Sequence, residues 1–279
     1  MNRPGRLTIA AVVCLVVLAA LATIFVLYPF STVAHEPYAT DLGTDSPPSN
    51  DGTFAVDQEI RIDEEGEFAL ELTNRLAVDG DEVRYDSDWI REAETTATTR
   101  YTDLDAEWQA TRSWTDSADT YEDWLEYAGE NETVDSVEDG YTRLSSEADP
   151  PSVDDQFDGY HTLGTDPLLS WLSFEFVGEE TVGDRTVAVY EPKTGWYERV
   201  VSGHTVEEYR VTAADGELHR DAETGALRSA DLTFTIVDAS NYAEYLAEQW
   251  RGESVTVELT YAVHDDASVE RPDWAEPPE

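Results

Sequence analysis

The sequence predicts an α+β fold: a strongly curved, mostly antiparallel β-sheet of about eight to ten strands, forming a half-barrel with a few short helices on its concave face, preceded by one N-terminal transmembrane helix. Three observations predict it. Apolar and polar residues alternate with period two through much of the chain from Thr53 onward. Helix start and stop signals bracket only three short segments. The 24 residues from Leu7 to Phe30 carry no charge.

A helix of that uncharged length spans about 36 Å, enough to cross a ~30 Å hydrocarbon core with some tilt. Arg3 and Arg6 precede it, whereas Glu36, Asp41 and Asp45 follow it, with no further basic residue until Arg61. The positive-inside rule therefore assigns residues 1–6 to the cytoplasm, 7–30 to a retained signal anchor and the rest to the extracellular side of the cell membrane. The stretch is longer than the apolar core of a cleaved signal peptide. Residues 31–52, rich in Pro, Ser, Asp and Gly, read as a flexible linker with a root-mean-square reach of about 25 Å. The extracytoplasmic domain is then 53–279. Cys14 is the only cysteine, so that domain has no disulfide and no thiolate metal site, and packing must hold it together.

The strands follow in order. Phe54, Val56, Ile60 and Ile62 share one parity, and Phe68, Leu70, Leu72, Leu76 and Val78 repeat the pattern. Asp79-Gly80 supplies a hairpin turn into Val83, Tyr85 and Trp89. A further pair covers Thr98 to Trp114. Gly183-Asp184 joins Phe174–Gly178 to Thr186–Tyr190, Asp215-Gly216 follows Tyr209–Thr212, and Thr224-Gly225 precedes Ala230, Leu232, Phe234 and Ile236. Val255, Val257, Leu259, Tyr261 and Val263 alternate in the last strand. Of the helices, one starts at Thr120 and Asp123 and runs through Tyr127 to a stop at Gly129. Asp166-Pro167 opens a second through Leu172. Ser240 caps a third, with Tyr242, Tyr245, Leu246 and Trp250 on one face before Gly252. Three such helices cannot cover one whole sheet face, so the concave side is either filled by side chains or left as a cavity.

Charge excludes one class of partner. With 61 acidic and 17 basic side chains the chain carries a formal −44, and phosphate binding needs a basic surface, so no nucleic acid is expected. Lys193 is the only lysine. Such a surface resembles those of salt-in halophiles, haloarchaea above all: the Debye length of about 10 Å in dilute buffer falls to about 3 Å in molar salt, which removes most of the carboxylate repulsion.

Two stretches carry a family resemblance. DPLLSWLSFEFVGEETVGDRTVAVYEP, from Asp166 to Pro192, resembles the short helix and hairpin of LolA-like proteins, and LHRDAETGALRSADLTFTI, from Leu218 to Ile236, is similar to their "Asp-x-x-Thr-Gly-x-Leu" hairpin. The superfamily includes LppX/LprG-type lipid carriers and MucB-type regulators. The closing RPDWAEP around Trp274 looks like the ends of membrane-anchored haloarchaeal members. The resemblance implies an unclosed curved sheet plugged by helices, with a cavity for acyl chains. On this chain such a groove would be lined by Phe68, Leu70, Leu72, Trp171, Leu172, Phe234 and Tyr245. No lipobox precedes the domain, so lipoprotein sorting itself is not implied.

Other chemistry is weakly represented. His35, His161, His204, His219 and His264 are scattered without zinc-site spacing, and Ser202-Gly203-His204 lacks a nucleophile elbow and a third member. No catalytic residue, metal ligand or cofactor is assigned. Asn131-Glu132-Thr133 is a glycosylation sequon in an exported loop. The expected function is a non-enzymatic, membrane-anchored module that binds a lipid or other apolar ligand in the sheet groove. The alternative is a cell-envelope interaction scaffold without small-molecule cargo, and an enzyme comes last.

Overall fold

The computed structural model describes residues 17–23, 26–27, 53–91, 94–129, 131–148, 165–201 and 205–277. Residues 17–23 and 26–27 are helical, with Val17, Leu18, Leu21 and Leu27 exposed. The remainder of the expected 7–30 span, the termini of residues 1–6 and the linker 31–52 lie outside the described residues. Among those described, no helix is long and apolar enough to cross a membrane.

Thirteen strands make one open sheet: β1 (Thr53–Glu64), β2 (Glu67–Asp79), β3 (Glu82–Arg91), β4 (Glu94–Asp103), β5 (Trp108–Thr115), β6 (Glu132–Val137), β7 (Gly140–Ala148), β8 (Phe174–Val182), β9 (Arg185–Pro192), β10 (Gly195–Val201), β11 (Thr205–Asp221), β12 (Leu227–Asp238) and β13 (Val255–His264). Among the described residues from Thr53 onward, three helices accompany them: α1 (Ala118–Tyr127), α2 (Thr165–Leu169) and α3 (Tyr242–Arg251). The spatial order is β6-β7-β5-β4-β3-β2-β1-β13-β12-β11-β9-β8, with β10 paired to β11. Neighbours are antiparallel, as in β1 with β2 and β13.

The count exceeds the eight to ten strands expected, and the reason is chemical. Strand β6 and its neighbour β7 form a polar edge in which Arg143 grips Glu132 with two hydrogen bonds, at 2.6 and 3.2 Å, so no apolar alternation marks them. A second departure concerns Asp215-Gly216, which is no turn. It lies inside the seventeen-residue β11, where Gly216 has φ +106° and an added Cβ would sit 1.9 Å from the Asp231 carbonyl oxygen of β12. Glycine serves close strand approach there rather than a reversal.

The Thr224-Gly225 hairpin forms as expected. Asp221 Oδ1 accepts from the amides of Glu223 and Thr224 at 3.0 and 2.8 Å, Gly225 takes φ +75°, and Leu227 is buried beyond it. Caps shift slightly from the expected positions. Ser117, not Thr120, caps α1 and accepts from the Thr120 amide. Asn241 caps α3 by accepting from the amides of Ala243 and Glu244, while Ser240, one residue earlier, bonds Glu244. Gly252 ends α3 in the left-handed region at φ +83°.

One face of the sheet holds the main core. Val56 and Ile60 of β1, Leu76 of β2, Val83 of β3, Val211 and Leu218 of β11, Phe234 of β12 and Leu259 of β13 join in one cluster that Leu169 and Leu172 complete. A sheet whose third strand shares a core with its eleventh has to curl. A polar chain crosses this apolar face: Tyr85 donates to Asn74 (2.9 Å), Asn74 to Gln58 (2.6 Å), and Gln58 to the Thr165 hydroxyl (2.6 Å). It ties three neighbouring strands to the first residue of α2, which fixes the plug over the concavity.

Helix α1 covers the same face further along, with Tyr121 stacked on Tyr141 at 4.1 Å. The expectation that all three helices lie on the concave side fails for α3. Tyr242 and Tyr245 pack against Trp196, Val237 and Ala239, whose parity is opposite to that of Tyr197 and Ile236. The guanidinium of Arg210 sits among the rings, 4.6 Å from Tyr245 and 5.1 Å from Trp196. On the same outer face the C-terminal segment lays Val269, Trp274 and Ala275 over Ala55, Ala77, Tyr101, Trp108 and Ala110, with Arg271 5.0 Å above the Trp108 ring. The three alanines form a trough shallow enough for that strap.

Candidate functional site

A cleft of about 480 Å³ opens where the concave face reaches one end of the sheet. Strand register explains why it lies there. Glu64 at the end of β1 pairs with Val255 at the start of β13, and Ile236 near the end of β12 pairs with that same residue, so three strand ends meet at one rim. Tyr209 of β11 pairs with Asp238, adding a fourth. Inward parity at these ends contributes Tyr209, Ile236 and Val255 to the floor, and the turn after α2 adds Trp171.

The floor is held in place from below. Tyr209 donates its hydroxyl proton to the Trp171 carbonyl oxygen at 3.1 Å, and the two rings lie 6.3 Å apart with a 45° tilt. Tyr197 stacks on the other side of Tyr209 at 5.6 Å, nearly parallel. Burial pushes the Tyr197 hydroxyl above the ordinary tyrosine range. Tyr209, held between Trp171 and Tyr197, reaches the cleft as a buried part of its floor.

The rim is acidic. Glu64, Glu65, Glu208, Asp238, Glu248 and Glu253 line it, together with Ser254. Arg251 bonds Glu248 Oε1 at 2.8 Å and approaches Glu253 Oε1 at 4.0 Å. The side chains of Glu248 and Glu253 interact, which raises the Glu253 carboxyl above its ordinary range and lowers that of Glu248. The arrangement can hold an apolar or aromatic body on its floor and a polar end at its mouth; it offers no nucleophile paired with a base.

The residues expected to line the groove separate into four places. Trp171 lines the cleft. Leu172 and Phe234 are fully buried in the core beneath it, and Leu72 is half-buried against that core. Leu70 faces the same way, opposite Ile62, and is half-buried. Phe68 turns outward. A β-bulge inserts one extra residue between Leu70 and Phe68, so that Phe68 pairs with Asp63 and lies under the Arg61 guanidinium at 5.2 Å on the opposite face. Tyr245 also belongs to the outer face, in the cluster with Trp196.

The remaining candidates are dispersed. Asn131 is exposed in the turn between α1 and β6, and its carbonyl accepts from Ser146. His219 lies 3.2 Å from Glu217 and His264 3.0 Å from Asp57, on the surface and far apart in the sheet. His35, His161, the Ser202-Gly203-His204 run and Cys14 lie outside the described residues. Among those described, no three His, Cys, Asp or Glu side chains come together as a metal site. Sequence reasoning missed Tyr209, Ile236 and Val255. Their inward parity was readable; the meeting of their strand ends was not.

No protein-family model matches the chain, and no curated protein matches it. Among solved structures it is similar to a LolA superfamily protein of Nitrosomonas europaea, at 11% identity over 83% of this chain and 92% of that one, with a TM-score of 0.19. The fold and the cleft described above rest on this chain's own strand pairing and packing.

Proposed function

We propose that this chain is a non-enzymatic, membrane-tethered extracytoplasmic binding module of a halophile, which holds a lipid or other apolar molecule in the cleft at the open end of its curved sheet. One observation carries the reading: a cleft of about 480 Å³ at the end of the concave face, floored by the half-buried Trp171 and Val255 and the buried Tyr209 and Ile236. That volume falls within the range of small-molecule sites, and an aromatic-aliphatic floor is what such sites use for affinity. The resemblance of Asp166–Pro192 and Leu218–Ile236 to LolA-like proteins agrees with it. So does the uncharged run Leu7–Phe30, which would keep the domain within reach of a membrane.

A second reading has its own support. Leu172 and Phe234, fully buried on the concave face, are placed as core residues of a rigid scaffold without cargo would be. Native mass spectrometry separates the two. Full-length chain extracted in high salt and transferred without exchange of bound molecules should carry stoichiometric amphiphile; a chain of bare mass, which also fails to take up added lipid, contradicts ligand binding and leaves the scaffold.

A further inference from the structure

The cleft's two halves differ in chemistry, and the difference bears on what it takes. Its floor is aromatic and aliphatic, made of Trp171, Tyr209, Ile236 and Val255, whereas its rim carries carboxylates from several elements: Glu64 at the end of β1, Glu65 in the turn after it, Glu208 of β11, Asp238 of β12, Glu248 of α3 and Glu253 in the turn into β13. Arg251, beside this rim, is engaged by Glu248 at 2.8 Å. Glu248 and Glu253 meet side chain to side chain at this mouth, and two carboxylates in contact repel unless a proton or another positive group comes between them. An anionic head at this mouth would meet only like charge. A cationic head would meet carboxylates at contact distance beside the half-buried Trp171 ring.

Resting on the binding function proposed above, we propose that the ligand class of the cleft is a cationic amphiphile: a single amine or quaternary ammonium head at the carboxylate rim, with its apolar body on Trp171, Tyr209, Ile236 and Val255. Selection of this kind operates at contact distance, so it outlasts the salt that screens the rest of the surface. In molar salt the Debye length is about 3 Å, which erases long-range attraction of any cation to the acidic surface but not a pairing across a filled cleft. High salt therefore separates cleft binding from general condensation on carboxylates.

The test titrates the full-length chain, held in lipid nanodiscs in molar KCl, with decyltrimethylammonium, decyl maltoside and decyl sulfate, taking empty nanodiscs as reference. The three share one chain and differ in head charge. The cationic compound should bind one to one and about tenfold more tightly than the maltoside, a span that a few partly exposed ion pairs and cation–π contacts supply. The sulfate should be weakest. Glu208→Gln/Glu253→Gln should shrink the preference to about threefold or less, while Asp105→Asn/Glu126→Gln, which removes equal charge elsewhere, should leave it intact. Equal affinity for all three heads would overturn the charge selection and leave apolar binding standing. A cationic preference untouched by the rim variant would overturn its assignment to the cleft. Failure of all three to bind would overturn both.

Discussion

Replacing Gln58 by leucine isolates the polar chain that anchors the plug. Gln58 Nε2 donates to Thr165 and Gln58 Oε1 accepts from Asn74, both at 2.6 Å and both among buried residues. Leucine keeps the volume but strands an Asn74 donor and a Thr165 acceptor. Each stranded buried group costs about 1–3 kcal/mol, and the added apolar burial returns about 1–2 kcal/mol, so a net loss of about 1–4 kcal/mol is expected. For a domain of this size that lowers Tm by about 3–12 °C. Replacing the whole chain with Gln58→Leu, Asn74→Leu, Thr165→Val and Tyr85→Phe removes both ends of the three hydrogen bonds described and should recover part of the loss. Urea unfolding followed by circular dichroism in molar KCl measures both variants. A Gln58→Leu protein within 0.5 kcal/mol of the parent, or a fourfold variant worse than the single one, would refute the argument that this chain, rather than apolar contact alone, seats α2.

Other consequences are open to equally direct measurement. Gly216→Ala should be among the most damaging single changes, at about 4 kcal/mol or more, because its Cβ would collide with Asp231 across β11 and β12; equilibrium unfolding checks it, and a loss below 1 kcal/mol would contradict the close approach. Trp274→Ala, which uncovers the alanine trough, should cost about 1–3 kcal/mol as a half-buried aromatic, with enhanced amide exchange confined to β4, β5 and their neighbours. In molar salt, stability should fall as pH drops below about 4. Burial alone would raise the Asp221 carboxyl, but the amides of Thr224 and Glu223 with Arg228 nearby hold it lowered, and Arg143 lowers Glu132, so both contribute stability above the ordinary carboxylate pKa that is lost as they protonate. Asp221→Asn should flatten that acid limb, seen in unfolding free energy against pH. Melting temperature should climb between dilute buffer and multimolar KCl, and a flat profile would remove the halophilic reading.

The elements that the sequence made legible are those whose burial is one-sided. Alternation in β1, β2, β12 and β13 reports an inward and an outward face directly, and Gly183 and Thr224-Gly225 mark reversals because only their backbone geometry needs them. Strands β6 and β7 stayed hidden since a polar edge held by Glu132 and Arg143 carries no apolar period. Gly216 misled because the same residue that permits a turn also permits two backbones to touch. For the site, parity correctly turned Leu72, Leu172 and Phe234 inward yet could not say that they pack solidly. It failed at Phe68, where one inserted residue reverses every side chain beyond it, and at Tyr245, whose helix could dock on either face with the same pattern. The cleft depends on which strand ends coincide, a property of register across the sheet that no single segment encodes.

Photolabelling places the ligand most directly. A decyl amphiphile with a diazirine near its chain end, irradiated with the full-length protein in molar salt and mapped by peptide mass spectrometry, should label the peptides bearing Trp171, Tyr209, Ile236 or Val255 at one equivalent, and Ile236→Trp, which fills the floor, should abolish it. Labelling spread over the outer face, around Leu246 and Trp250 for example, and unchanged by Ile236→Trp, would contradict the assignment of the cleft as the binding site.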